Sequence, residues 1–249
     1  MVMKDFLIFR IHGVMASWGD IAVGEFRPTF DHPSKSAIMG MVAAALGIHR
    51  DEEERLRELG AGYRMAVRID EPGILLRDYH TAQVPSSGKG RNKRSFPTRR
   101  AEISVPKEDL NTILSSRDYH CDAVYTICLW SNGPTPPYPL ADLKEHLEHP
   151  AFTLYLGRKS CPLSLPLQPQ IIQGESLAVA LSTVAFNDAP FIASLTTTRD
   201  TRIFWEGDAD IGLSSVHTVQ RRDDSLSRKR WQFGNRLEHF ATMKKHAGM

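Results

Sequence analysis

Phe6 to Ile11 is a nearly unbroken apolar run, interrupted only by Arg10, and reads as a buried or half-buried strand ended by Gly13. From Ser34 the period changes. Ile38, Met41, Val42, Ala45 and Leu46 recur at helical spacing, and Gly47 stands where a helix ends. A charged helix over Asp51 to Leu59 is stopped by Gly60 and Gly62. Tyr63 to Asp70 then alternates, with Met65, Val67 and Ile69 on one face and Arg64 and Arg68 on the other. After the Pro72-Gly73 turn, Ile74 to His80 reads as a partner strand, and Val124 to Trp130 as another. Leu140, Leu143 and Leu147 mark a second amphipathic helix between Pro139 and Pro150.

Strand, helix, strand, strand, a long excursion, strand, helix is the split βαββαβ order of a ferredoxin-like α+β domain, RRM-like in outline and shared by many RNA-binding modules. The pattern predicts such a palm over residues 1–160, with an arm inserted at about 81–118. After Pro162 the composition turns to Pro, Gln, Ser and Thr with short apolar alternations, which predicts a smaller β-rich lobe over 161–249.

Composition changes this picture little. The apolar and charged fractions, 41% and 24%, are those of an ordinary globular chain, and a formal charge of +2 points to no particular partner. Cys121, Cys128 and Cys161 form no CxxC pair, so they read as buried thiols in a reducing compartment. The first apolar run is too short for a signal peptide, and no segment approaches a membrane span, so a cytoplasmic protein is expected. No cofactor or metal motif is present.

The placement of charge is more informative. From Ser86 to Arg100 there are six basic residues (Lys89, Arg91, Lys93, Arg94, Arg99, Arg100) and no acidic one. Interspersed Gly, Ser and Pro make the segment a protruding arm suited to phosphates. A second constellation, Arg27 with Ser34, Lys35 and Ser36, opens the first helix, where N–H groups, hydroxyls and an ammonium can meet an anion. Helix capping by Ser34 is the plainer alternative, and the absence of Gly-x-x-x-x-Gly-Lys excludes a P-loop. In the third, Tyr155-Leu156-Gly157-Arg158-Lys159-Ser160, glycine permits close backbone approach and Tyr155 offers a ring to a base. Trp18, in a glycine-flanked loop, is a further stacking candidate against the reading that it is core.

In order along the chain, SWG, RPT…PSKS, RDYHT, RDYHCDAVYTICLW and YLGRKSCPL resemble the CasD family, Cas family five of the RAMP superfamily found in type I-E CRISPR systems. The resemblance covers most of Phe6 to Pro166. It implies a palm with an inserted thumb that binds the 5′ handle of the CRISPR RNA and is not catalytic. It also implies contact with the backbone and large subunits of a Cascade complex, and with target DNA only through that assembly. Carried over, Arg27, Ser34, Lys35 and Ser36 meet handle phosphates, as do Arg77, Tyr79 and His80. So do Arg117 and Tyr119 in the second RDYH string, and Tyr155, Arg158, Lys159 and Ser160. Two departures stand out: a longer, more basic arm, and an added helical turn or two within Val105 to Ser116.

The rival from another class is a metal-independent endoribonuclease, with Tyr79 and His80, or Tyr119 and His120, as general acid and base. A protein-only scaffold leaves the acid-free arm unexplained.

Overall fold

The computed structural model describes residues 3–86, 95–187, 190–195, 200–207 and 211–244. In chain order the first elements are β1 (Lys4–His12), β2 (Met15–Ala16), β3 (Trp18–Gly19), β4 (Phe26–Arg27), β5 (Thr29–Phe30), α1 (Lys35–Ala45), α2 (Glu53–Gly62) and β6 (Tyr63–Glu71). Next come β7 (Ile74–Pro85), α3 (Arg99–Ile103), β8 (Leu110–Cys121), β9 (Val124–Ser131) and α4 (Leu140–Glu148). The chain continues through β10 (Gln170–Gly174), α5 (Leu177–Thr183), α6 (Pro190–Leu195), β11 (Asp200–Trp205), β12 (His217–Ser227) and β13 (Gln232–Lys244).

One sheet of seven strands runs β10-β1-β9-β6-β11-β13-β12 with every neighbour antiparallel. Its first four strands, with α1 and α4 as crossovers, follow the interleaved order that the pattern predicts. Two strands differ from expectation. The third palm strand is β9, not Ile74 to His80, and the fourth is β10, beyond residue 160. Among the described residues the β-rich tail forms no separate sheet: β11, β13 and β12 extend the palm sheet beyond β6.

β1 sits inside this sheet and is apolar on both faces for that reason. Leu7, Phe9 and Ile11 face α1 and α4 and pack with Ile38, Val42, Leu143 and Leu147. Phe6 and Ile8 face α5 and pack with Leu177, Leu181, Ile203 and Trp205. At the head of α1, the Ala37 N–H donates to Ser34 Oγ (3.1 Å). At its end, Gly47 has φ +71°, and N–H groups of Gly47 and Ile48 reach Ala44 and Ala43 carbonyls (3.2 and 2.9 Å), which closes the last turn.

β7 leaves the palm and pairs with β8 over their full length, from Ile74↔Cys121 to Pro85↔Leu110. At about 3.3 Å per residue this ribbon is about 40 Å long. It is exposed on both faces: Ile74, Leu75 and Leu76 are all largely open, which is incompatible with a strand lying on a core. The arm therefore begins at residue 74, earlier than expected. The added helix within Val105 to Ser116 is one turn of 3-10 helix, Lys107–Asp109; Ile113 and Leu114 lie on β8.

Candidate nucleic-acid interface

The root of the arm is built from three segments distant in sequence. β4 pairs in parallel with β8, setting Phe26 beside Ser116 and Arg27 beside Arg117. β2 pairs with the last residues of β8, Met15↔Cys121 and Ala16↔His120. The turn holding Tyr155 to Ser160 closes over both. The Ser17 N–H donates to the Leu156 carbonyl (3.1 Å), and Ser17 Oγ donates to the Asp118 carbonyl (3.0 Å). Gly157 makes that approach possible. Its φ is +81°, and a Cβ there would stand 1.9 Å from the Ser17 carbonyl oxygen.

Strand alternation sorts the predicted residues onto two faces of the ribbon. One face carries Asp78 and His80 on β7 with Arg117 and Tyr119 on β8. Arg27 joins it beside Arg117, and Arg158 joins it by lying over the Tyr119 ring, 4.9 Å from its centroid. The other face carries Arg77 and Tyr79. Arg77 is a forked partner of buried Asp118 (2.8 and 3.1 Å) and lies 4.9 Å from the Phe26 centroid, while Tyr79 is 75% exposed. His80 pairs with Asp78 (2.6 Å).

On the first face, Arg27 is held, among the described residues, by the backbone carbonyls of Gly24 (2.5 Å) and Phe26 (3.0 Å) alone. Arg117 Nε and Arg158 Nη1 are shut off from solvent, and neither finds an acceptor among the described residues. Buried donors left unpaired cost about 1–3 kcal/mol each, more when charged. Lys159 and Ser160 are exposed beside them, and Tyr155 is 39% exposed.

Several expectations do not survive the geometry. Trp18 is 1% exposed and packs edge-on against Tyr125, 5.7 Å between centroids, so it offers no surface to a base. Tyr119 is 5% exposed under Arg158. Lys35 is buried, with Nζ 3.0 Å from Glu206 Oε1, and its backbone N–H donates to Asp223 Oδ2 (2.9 Å). The positive end of α1 thus receives a carboxylate of the same chain, and Ser34 and Ser36 share a hydrogen bond (3.1 Å). This helix entry is a structural joint to the C-terminal hairpin, because side chains some 170 to 190 residues later in the chain occupy it.

Arg99 and Arg100 are exposed on α3, where Arg99 donates to the Gln83 carbonyl (2.5 Å) and pairs with Glu102 (2.7 Å). Lys89, Arg91, Lys93 and Arg94 lie outside the described residues.

The tyrosine–histidine pairs proposed for acid–base chemistry are split. Tyr79 and His80 point to opposite faces, as do Tyr119 and His120. Tyr79 and His120 share a face, yet Tyr79 pairs with Ser116, four residues or about 13 Å along the strand from His120. Burial also pushes His120 below the ordinary histidine range.

A buried polar network escaped the sequence reading. Arg236 forks onto Asp223 (2.6 and 2.9 Å), Arg221 reaches Asp223 (3.3 Å) and Glu238 (3.2 Å), and His32 stacks on Phe204 at 3.8 Å between Asp31 and Glu238. Burial raises the Asp31 and Glu238 carboxyls, but His32 and the neighbouring arginines outweigh it and hold each at about 2. The signal was present as opposite charges two residues apart, Arg221/Asp223 and Arg236/Glu238, on facing strands.

Comparison with known proteins agrees with this architecture. A family model described as "CRISPR-associated protein (Cas_Cas5)" matches residues 6–237. The CRISPR system Cascade subunit CasD of Escherichia coli strain K12 is 35% identical over 174 residues, covering 66% of this chain and 70% of that protein. A chain of a CRISPR RNA-guided surveillance complex superposes with a TM-score of 0.64 at 25% identity, covering 96% of this chain and 90% of that one. A crystal structure titled as a Cas protein shares the fold, with a TM-score of 0.61 at 24% identity and coverage of 96% and 95%. The chain belongs to the Cas5 family of CRISPR-associated proteins.

Proposed function

We propose that this chain is a non-catalytic subunit that holds the repeat-derived 5′ handle of a CRISPR guide RNA at the root of its arm, within a complex of the Cascade kind. The observation that carries the reading is the convergence of Arg27, Arg117 and Arg158 on one face, none of them ion-paired with a carboxylate among the described residues. A phosphodiester suits such an uncompensated cationic face, and the Gly157 turn, seated on the Ser17 carbonyl, presents exposed Lys159 and Ser160 beside it. The arm exposes Ile74, Leu75, Leu76, Ile113 and Leu114. A two-stranded ribbon of that kind is marginal alone, which fits a thumb covered by the backbone subunit, with the large subunit docking nearby. Target DNA is reached through the assembly.

The test is binding of the cognate repeat RNA to the full chain. Arg158→Ala/Lys159→Ala is expected to weaken it and to flatten the dependence of log affinity on log salt by about 0.7 for each phosphate no longer neutralised. Unchanged binding by that variant overturns the reading. So does specific cleavage of the repeat that His80→Ala or His120→Ala abolishes.

A further inference from the structure

The turn between β12 and β13 carries four residues that the interface above does not use: Arg228, Lys229, Arg230 and Trp231. Trp231 is 61% exposed and has a left-handed backbone, φ 52°. A bulky residue in that region carries strain, and an indole this exposed buries too little surface to offset it. The ring is nonetheless fixed. The Arg50 guanidinium lies 4.0 Å from its centroid, and Phe233 is 6.4 Å away.

The turn is also anchored. Glu53 accepts from the Ser227 hydroxyl and from the Lys229 N–H (3.4 Å), and the Arg230 N–H donates to Ser227 Oγ (3.1 Å). Arg228 donates to the Ser36 carbonyl and so pins the turn to α1. Among the described residues no carboxylate forms an ion pair with Arg50, Arg228, Lys229 or Arg230; Glu53, which accepts from the turn's backbone, feels the charges of Lys229 and Arg230, and its carboxyl is held below its ordinary range first by the Ser227 hydroxyl. Burial and then the Arg50 charge push the Arg228 guanidinium below its ordinary range, while Tyr155 acts in the opposite sense.

A rigid, exposed aromatic set among cations suits a single strand, whose bases stack on the ring while its phosphates meet the charges. Tryptophan and arginine also occur at protein-docking hot spots, but lysine is depleted there, and the added charge of Lys229 suits the phosphates of a strand. We propose that this turn is a second contact for single-stranded nucleic acid, in which Trp231, backed by Arg50, stacks on a base and Lys229 and Arg230 neutralise the flanking phosphates. The proposal rests on the arm root being a nucleic-acid interface and adds a second contact to it.

The experiment follows fluorescence anisotropy of end-labelled oligouridine of about 20 nucleotides, long enough for both contacts, and of the matching deoxyuridine strand. Full-length wild type, Trp231→Ala, Trp231→Phe, Lys229→Ala/Arg230→Ala and Arg158→Ala/Lys159→Ala are compared, each with its melting temperature. Trp231→Ala is expected to lose about 5- to 150-fold in affinity with unchanged melting, and Trp231→Phe to recover most of it. Lys229→Ala/Arg230→Ala should lower the salt slope by about 1.4. Loss confined to RNA assigns the contact to the guide, and equal loss on DNA assigns it to single strands in general; both support it. If Trp231→Ala binds as wild type while Arg158→Ala/Lys159→Ala does not, the turn is no contact and the arm root stands. If no variant changes binding, both readings fall. If Trp231→Ala keeps its RNA but no longer co-purifies with a partner subunit, the turn is a protein surface and the proposal is overturned.

Discussion

Lys35 is the residue at which the sequence pattern and the structure make opposite predictions. As an exposed first-turn lysine it would be slightly unfavourable against the helix dipole, and replacing it would cost the fold little. In the structure its Nζ is the near partner of Glu206, and both side chains are 9% exposed. Removing one member of a buried pair costs about 3–5 kcal/mol, because the other charge is left without its partner. For a chain of this size, 1 kcal/mol moves the midpoint by about 2–4 °C, so Lys35→Met should melt about 6–20 °C below wild type. The pH dependence supplies a second signature. Burial already raises the Glu206 carboxyl above its ordinary 4.5 against the pull of Lys35, and removing Lys35 raises it further. Above 4.5 the folded variant then holds a proton that the unfolded chain has released, so its stability falls as pH rises through that window. The deficit of Lys35→Met should shrink as pH is lowered toward 4.5, and Lys35→Met/Glu206→Gln should recover much of it at neutral pH. Melting by circular dichroism at several pH values checks both. A variant that melts within about 2 °C of wild type but loses RNA would refute the burial argument and restore Lys35 as a phosphate ligand.

Gly157→Ala places a methyl against the Ser17 carbonyl at a left-handed φ, at a cost of about 1–3 kcal/mol from backbone strain alone. It should weaken RNA retention more than an exposed substitution such as Ser160→Ala, as read from melting and RNA co-purification. Asp31 and Glu238 are held at about 2 against ordinary values of 3.8 and 4.5, so the stability they contribute is present above about 4.5 and lost as pH falls toward 2. Glu238→Gln should flatten that acid limb of the stability curve, and an unchanged limb would mean the network does not act through this carboxylate.

What the sequence shows follows from how local each signal is. β1, α1, β6, β9 and α4 were legible because period and punctuation reside within each segment, from the run Phe6 to Ile11 to the helical spacing of Ile38, Met41 and Val42. Pairing partners were not. Ile74 to His80 has the composition of a strand, but nothing in it distinguishes a palm neighbour from an arm ribbon. That choice is made by the competing β9, whose Tyr125, Ile127 and Leu129 fill the place beside β1. The site divided along the same line. Gly157, Arg158 and Lys159 lie next to one another in the chain and stay together in the fold. Ser34 to Ser36 looked equally promising as a string, and only the return of Glu206 and Asp223 showed that its anion is internal. A cation in a motif is therefore informative about ligands only once its carboxylate partners are known. By that criterion Arg77, which belongs to Asp118, ranks below Arg117 and Arg158, which no carboxylate pairs with among the described residues.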